Sequence, residues 1–147
     1  MHLFRRMAEL ARCRRLAQQL YEIEDTIEAL PAGLQVSLSE LVHREMRRAE
    51  RSPHPHLYGT PPEQLHHTWG TGTDIGFSRI YSDSAQVRMR GVALWLTAAY
   101  YELRNSHERN AEALQRRLCT ALRRVAERGL PERGGHIEWD PGRSALA

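Results

Sequence analysis

Leu3, Met7, Leu10, Cys13, Leu16, Leu20, Ile23, Ile27 and Leu30 recur every three or four residues through an otherwise polar stretch. That spacing places them on one stripe of a single α-helix, which Pro31 and Gly33 are positioned to end. At 1.5 Å per residue such a helix is roughly 40 Å long, more than one small domain needs. From Leu16 onward the steps alternate four and three, a heptad seam. Before that come three successive steps of three, a local stammer. A helix of this length must bury its seam on something. The seam therefore predicts either a long member of a helical bundle or a dimerisation surface.

The rest of the chain reads as further helices. Ser37 and Glu40 have the capping-box spacing, which predicts a helix start at Ser37, with Leu38, Leu41, Val42, Met46 and Ala49 facing one way and Ser52-Pro53 ending it. Residues 52–60 are a Pro, His and Gly connection. Thr60-Pro61-Pro62-Glu63 predicts a short third helix up to Gly70. The glycines from Gly70 to Gly76 predict a flexible loop, and residues 77–82 read as irregular. A fourth helix begins near Asp83 or Ser84. It is apolar on most sides, as suits the middle of a bundle. Asn105 and Glu108 have a third capping-box spacing, so a fifth helix restarts there or one rod runs over 83–128. Gly129 and Pro131 stop it, and 131–147 form a loosely packed tail. The expected fold is all-α: a bundle of four to five helices over residues 1–130, with a long N-terminal helix and an irregular Pro/Gly/His-rich middle.

Charge placement is the lead to function. Every one of the 21 cationic side chains is arginine. A GC-rich bacterial genome explains the absence of lysine better than selection for arginine chemistry does. The distribution is more telling than the identity. Residues 1–20 carry a net charge of +4, residues 21–34 a net −4 and residues 104–128 a net +4. On the second helix a 3.6-residue period gathers Arg44, Arg47, Arg48 and Arg51 opposite the apolar face, within an arc of about 100°. Guanidinium groups grip phosphate in a planar fork, so this stripe is the candidate nucleic-acid-binding site. The competing reading is a solvated face carrying helix-internal pairs such as Glu40–Arg44, with Arg near the helix C-terminus suiting the macrodipole.

Other chemistries find little support. Glu40-x-x-His43 and Glu63-x-x-His66 have the spacing of di-iron bundles, but both glutamates also fall where helix caps want a carboxylate, and no spacing selects partners such as Glu28 or Glu102. Cys13 and Cys119 sit among apolar residues and read as core rather than nucleophile. Gly70-x-Gly72 followed by Gly76 departs from the dinucleotide fingerprint and follows no strand. The connection 52–60 is too long for a helix-turn-helix, and no aromatic platform accompanies the arginines as in single-strand binders. The most apolar run, Val92 to Tyr101, is about half the roughly 20 residues needed to span a bilayer. No apolar signal segment follows the basic N-terminus, so the chain is expected in the cytoplasm. These observations together predict a non-enzymatic homodimer, built on the first helix or the last pair, that binds nucleic acid, duplex DNA ahead of RNA. No cofactor, metal, membrane or small-molecule substrate is inferred. The alternative is a helical protein–protein adaptor.

Overall fold

The structure, a computed structural model, describes residues 2–50 and 71–129, and among these it is all-α. Five helices follow one another: α1 (His2–Ala29), α2 (Ala32–Glu50), α3 (Thr71–Arg79), α4 (Ala85–Arg104) and α5 (Arg109–Gly129). The expected third helix over 60–70 and the tail 131–147 lie outside the described residues.

The seam of α1 is real but shorter than its spacing suggests. Cys13, Leu16, Leu20, Ile23 and Ile27, with Leu30 just beyond the helix, are buried, whereas Leu3 and Met7 are exposed and Leu10 is half-buried. The first two turns project past the packed part of the bundle. Along α1 the contacts to α4 descend in number: Glu9 meets Ser106 just past the end of α4, Arg12 meets Glu102, and Gln19 meets Trp95. The two helices are antiparallel. Arg117 of α5 reaches Tyr21 and Glu24, and Ala121 and Arg124 further along lie beside Ile27 and Glu28, so α5 runs in the same direction as α1. Both α1 and α2 pack chiefly on α4 and α5, while α3 packs along α4.

Helix α4 is the centre of this arrangement. Thirteen of its residues are buried, from Met89 to Leu103, and Trp95, Tyr100 and Tyr101 are among the largest enclosed side chains. Each large apolar side chain enclosed there contributes about 1.5–3 kcal/mol relative to exposure. Trp95 carries one polar group inward with it. Its indole N–H donates to Gln19 Oε1 at 2.8 Å, a buried bond that fixes α1 against α4. Replacing Trp95 by Phe keeps an aromatic ring but strands the Gln19 oxygen. We expect a loss of at least about 1 kcal/mol, with Trp95→Phe/Gln19→Leu recovering part of it in urea unfolding.

Two helix boundaries differ from expectation, and a third is decided between two alternatives. Helix α2 begins at Ala32, five residues before Ser37, so the Ser37–Glu40 spacing lies inside the helix rather than at its start. Pro31 explains the early start: its fixed φ and missing N–H suit the entrance of a helix. Residues 71–76, read as part of a glycine loop, and 77–79, read as irregular, are helical and make up α3. Between α4 and α5 the chain does break, so 83–128 is not one rod. Asn105 serves the outgoing helix, with its N–H on the Leu103 carbonyl and its side-chain amide donating to the Tyr101 carbonyl at 2.9 Å. Ser106 Oγ then accepts from the Glu108 N–H at the entrance to α5. At the other end of α4, Ser84 is the N-cap as expected, accepting from the Val87 N–H.

The glycines of α3 account for its close approach to α4. A Cβ on Gly76 would lie 2.7 Å from the Trp95 nitrogen and 2.8 Å from the Gly91 carbonyl oxygen. A Cβ on Gly91 would lie 2.7 Å from the Gly76 carbonyl oxygen. The two backbones are in direct contact there. The hairpin joining them is closed by Arg88, whose guanidinium donates to the carbonyls of Ser82 and Asp83, and by an edge-to-face contact of Phe77 with Tyr81. Tyr81 also donates through its hydroxyl to Glu22, tying the hairpin to α1.

Candidate nucleic-acid interface

Helix α2 is amphipathic in the sense the sequence predicts. Leu38, Val42 and Met46 are buried against α4 and α5, with Leu41 and Ala49 packed beside them. Arg44, Arg47 and Arg48 are exposed on the other side, and Arg51 lies outside the described residues. Arg48 pairs with Glu45 one turn earlier, at 3.5 Å, with 77% of its side chain exposed. A solvent-exposed pair of this kind contributes little and leaves the guanidinium accessible. Glu40 and Arg44 form no ion pair among the described residues, and no described carboxylate pairs with Arg47. The last turn of α2 therefore presents two cations, Arg47 and Arg48, at the negative end of its dipole, with Arg44 one turn earlier. Beside them, burial and the Arg47 charge push His43 below its ordinary range, so its imidazole is neutral at neutral pH and adds no cation to the stripe.

The other arginine-rich stretches divide into structural and solvated residues. On α5, Arg109, Arg116, Arg123 and Arg124 are exposed, while Arg117 is held. Its guanidinium lies 3.8 Å from the centre of the Tyr21 ring and 2.7 Å from Glu24 Oε2, joining α5 to α1. On α1, Arg5, Arg6 and Arg14 are exposed, but Arg12 and Arg15 turn toward Glu102 of α4. The distances are 3.9 and 3.8 Å, and Arg15 also reaches Asp74 of α3 at 3.7 Å. Glu102 is only 6% exposed. Burial pushes its carboxyl above the ordinary range, opposed by the two arginines and a bond to Thr73, and Asp74 adds to the rise. Sequence reasoning missed this cluster. Its one available signal was a lone carboxylate in the most apolar helix of the chain.

Cys13 sits at the edge of the same region. Burial, aided by Glu108, Glu9 and Glu102, pushes its thiol up, so it is held protonated. Glu40 is exposed and His43 half-buried, and Glu63 and His66 lie outside the described residues. Among the described residues, no three His, Cys, Asp or Glu side chains come together as a metal ligand set. A cavity of 20 Å³ between α1 and α5, lined by Glu24, Ile27, Glu28, Ala121 and Arg124, has room for about one water. No described helix is long and apolar enough to cross a membrane. No family model, no curated protein and no solved structure matches the chain.

Proposed function

We propose that this chain is a non-enzymatic helical protein that binds nucleic acid, duplex DNA ahead of RNA, as a homodimer. The contacts are made to phosphates by Arg44, Arg47, Arg48 and Arg51. The observation that supports this reading is the separation of faces on α2: three exposed guanidinium groups within two turns, opposite a buried apolar face. Two of the three have no described counter-charge. Phosphates would supply what the fold does not, and displacing the cations condensed on a duplex would drive the association. Helix α2 gives the side chains a rigid mount, and two copies would double the stripe.

The test is a titration of labelled duplex against the protein at several salt concentrations. Each phosphate contact contributes about −0.9 to the slope of log affinity against log salt. Arg47→Ala/Arg48→Ala should therefore weaken binding at low salt and flatten that slope by about two for each copy bound. Both side chains are exposed, so the helix content should be unchanged. Equal binding by parent and variant would remove α2 as the site. An adaptor is favoured by a different observation, the exposed Leu3, Phe4 and Met7 at the start of α1. Binding that is weak in the parent and indifferent to both arginines selects that alternative.

A further inference from the structure

The outward side of α1 is a second, unabsorbed seam. Every third or fourth residue from Phe4 through Met7, Ala11, Arg14 and Gln18 to Tyr21 is exposed, and the spacing continues through Asp25 and Glu28. Successive steps of three and four keep these positions on one stripe, opposite the buried Leu16–Leu20–Ile23–Ile27 side. Large apolar groups crowd the N-terminal end of the stripe: Leu3 is 66% exposed, Phe4 74% and Met7 58%. Tyr21 and, on the hairpin beside α1, Tyr81 are exposed at the other end. Scattered single apolar residues on a surface need no explanation, but three within the first two turns of one helix do.

Charge selects the occupant. The exposed cations Arg6 and Arg14 belong to a half of α1 with net charge +4, and the exposed Glu22, Asp25 and Glu28 belong to a segment with net charge −4. We propose that this face binds a second copy of itself, α1 against α1 in antiparallel orientation, with the two-fold axis near Arg14–Gln18. That arrangement sets the basic, apolar end of each helix beside the acidic, tyrosine-bearing end of the other. Met7 then lies against the partner's surface around Asp25 and Tyr21, one turn apart, and Phe4 against the stems of Asp25 and Glu28. A parallel pairing would set Arg against Arg and carboxylate against carboxylate. The two-fold operation makes the patch self-complementary, as a closed dimer requires. The inference uses the two-copy assembly of the reading above but not its nucleic-acid binding.

Sedimentation velocity on the full chain, without nucleic acid, tests it. The parent is expected to sediment as a dimer at micromolar concentration. Phe4→Asp/Met7→Asp should weaken association by more than about tenfold, since apolar anchors carry most of such an interface. Arg6→Glu/Arg14→Glu and Asp25→Arg/Glu28→Arg should each dissociate at low salt, and mixing those two variants should restore a dimer. All these positions are exposed, so circular dichroism should report parental helicity. A parent that is monomeric throughout, or a dimer indifferent to all three variants, overturns the proposal. Retention of duplex binding in that case leaves the arginine stripe of α2 standing on its own.

Discussion

Gly91→Ala should lower the thermal midpoint of this protein by several degrees, although alanine is the better helix former. In an open helix the exchange would gain about 1 kcal/mol from propensity. Here the new methyl group would stand 2.6 Å from the Arg79 Cβ and 2.7 Å from the Gly76 carbonyl oxygen. The carbonyl is backbone and has no alternative rotamer. Helix α3 must move away from α4, loosening the contacts around Trp95. Overpacking of this kind costs typically 1–3 kcal/mol, and more where backbone is involved. We therefore expect a net loss of about 2 kcal/mol, or a shift of about 4–8 °C for a chain of this length. Gly76→Ala should behave alike, because its Cβ would meet the Trp95 nitrogen and the Gly91 oxygen at 2.7 and 2.8 Å. Gly72→Ala is the control. Its Cβ would meet only the Ala98 Cβ, at 3.0 Å, and a few tenths of an ångström of give between the two helices relieves it, far less than at Gly91 or Gly76. Its midpoint should stay near the parent's. Thermal unfolding followed by far-ultraviolet circular dichroism reads all three. A Gly91→Ala chain that melts with or above the parent would show that α3 and α4 are not locked in this way.

That contact also explains where the sequence was legible and where it was not. The apolar periodicities of α2, α4 and α5 are helical in the chain and helical in the fold, because amphipathic burial acts on the same spacing that the eye detects. Gly72 and Gly76 were read as flexibility because propensity alone argues that way. Their four-residue spacing gives the same residues a second use, a smooth face on which α4 can lie at backbone distance. Nothing local distinguishes the two, since the partner glycine is at position 91. Ser37 and Glu40 failed for a related reason: a capping spacing has meaning only at a helix start, and Pro31 had already supplied one. Leu3 and Met7 followed the seam rule and yet are exposed. Periodicity reports that a face is apolar, not that this chain covers it. The arginine stripe on α2 was legible because exposure opposite a buried face follows from the period itself. Arg12 and Arg15 were not sorted from Arg5, Arg6 and Arg14, because their partner is ninety residues away in the chain.

This sorting of the arginines has a consequence for what substitution does. Loss of a cation from the α2 stripe removes a solvated charge and should leave stability within a few tenths of a kcal/mol, as for other exposed surface positions. Loss of Arg12 or Arg15 acts on a buried carboxylate instead. The two groups of arginines are thus separable by experiment: one set should change binding without changing stability, the other the reverse.

Arg12→Ala/Arg15→Ala should accordingly destabilise the fold by about 2 kcal/mol at neutral pH. Removing the partners of a buried charge costs about 3–5 kcal/mol when both groups are fully enclosed, and the lower figure reflects side chains that retain 19% and 33% exposure. The pH dependence identifies the cause. Burial already holds the Glu102 carboxyl above its ordinary range in the folded state, against the pull of the two arginines, and without them the rise deepens. A carboxyl with a raised folded pKa contributes its full stability below the ordinary value of 4.5 and loses it as pH rises through the raised one. The deficit of the double variant should therefore be greatest at neutral pH and shrink on acidification, until the fold as a whole responds to acid. Glu102→Gln places a neutral isostere at the same point. In the parent it should be neutral or stabilising at neutral pH, since burial outweighs the pairing. In the Arg12→Ala/Arg15→Ala background it should recover most of the loss. Urea unfolding of the four chains at neutral and mildly acidic pH closes the cycle. A deficit that is constant with pH and unmoved by Glu102→Gln would mean that the arginines stabilise through the packing of their aliphatic stems.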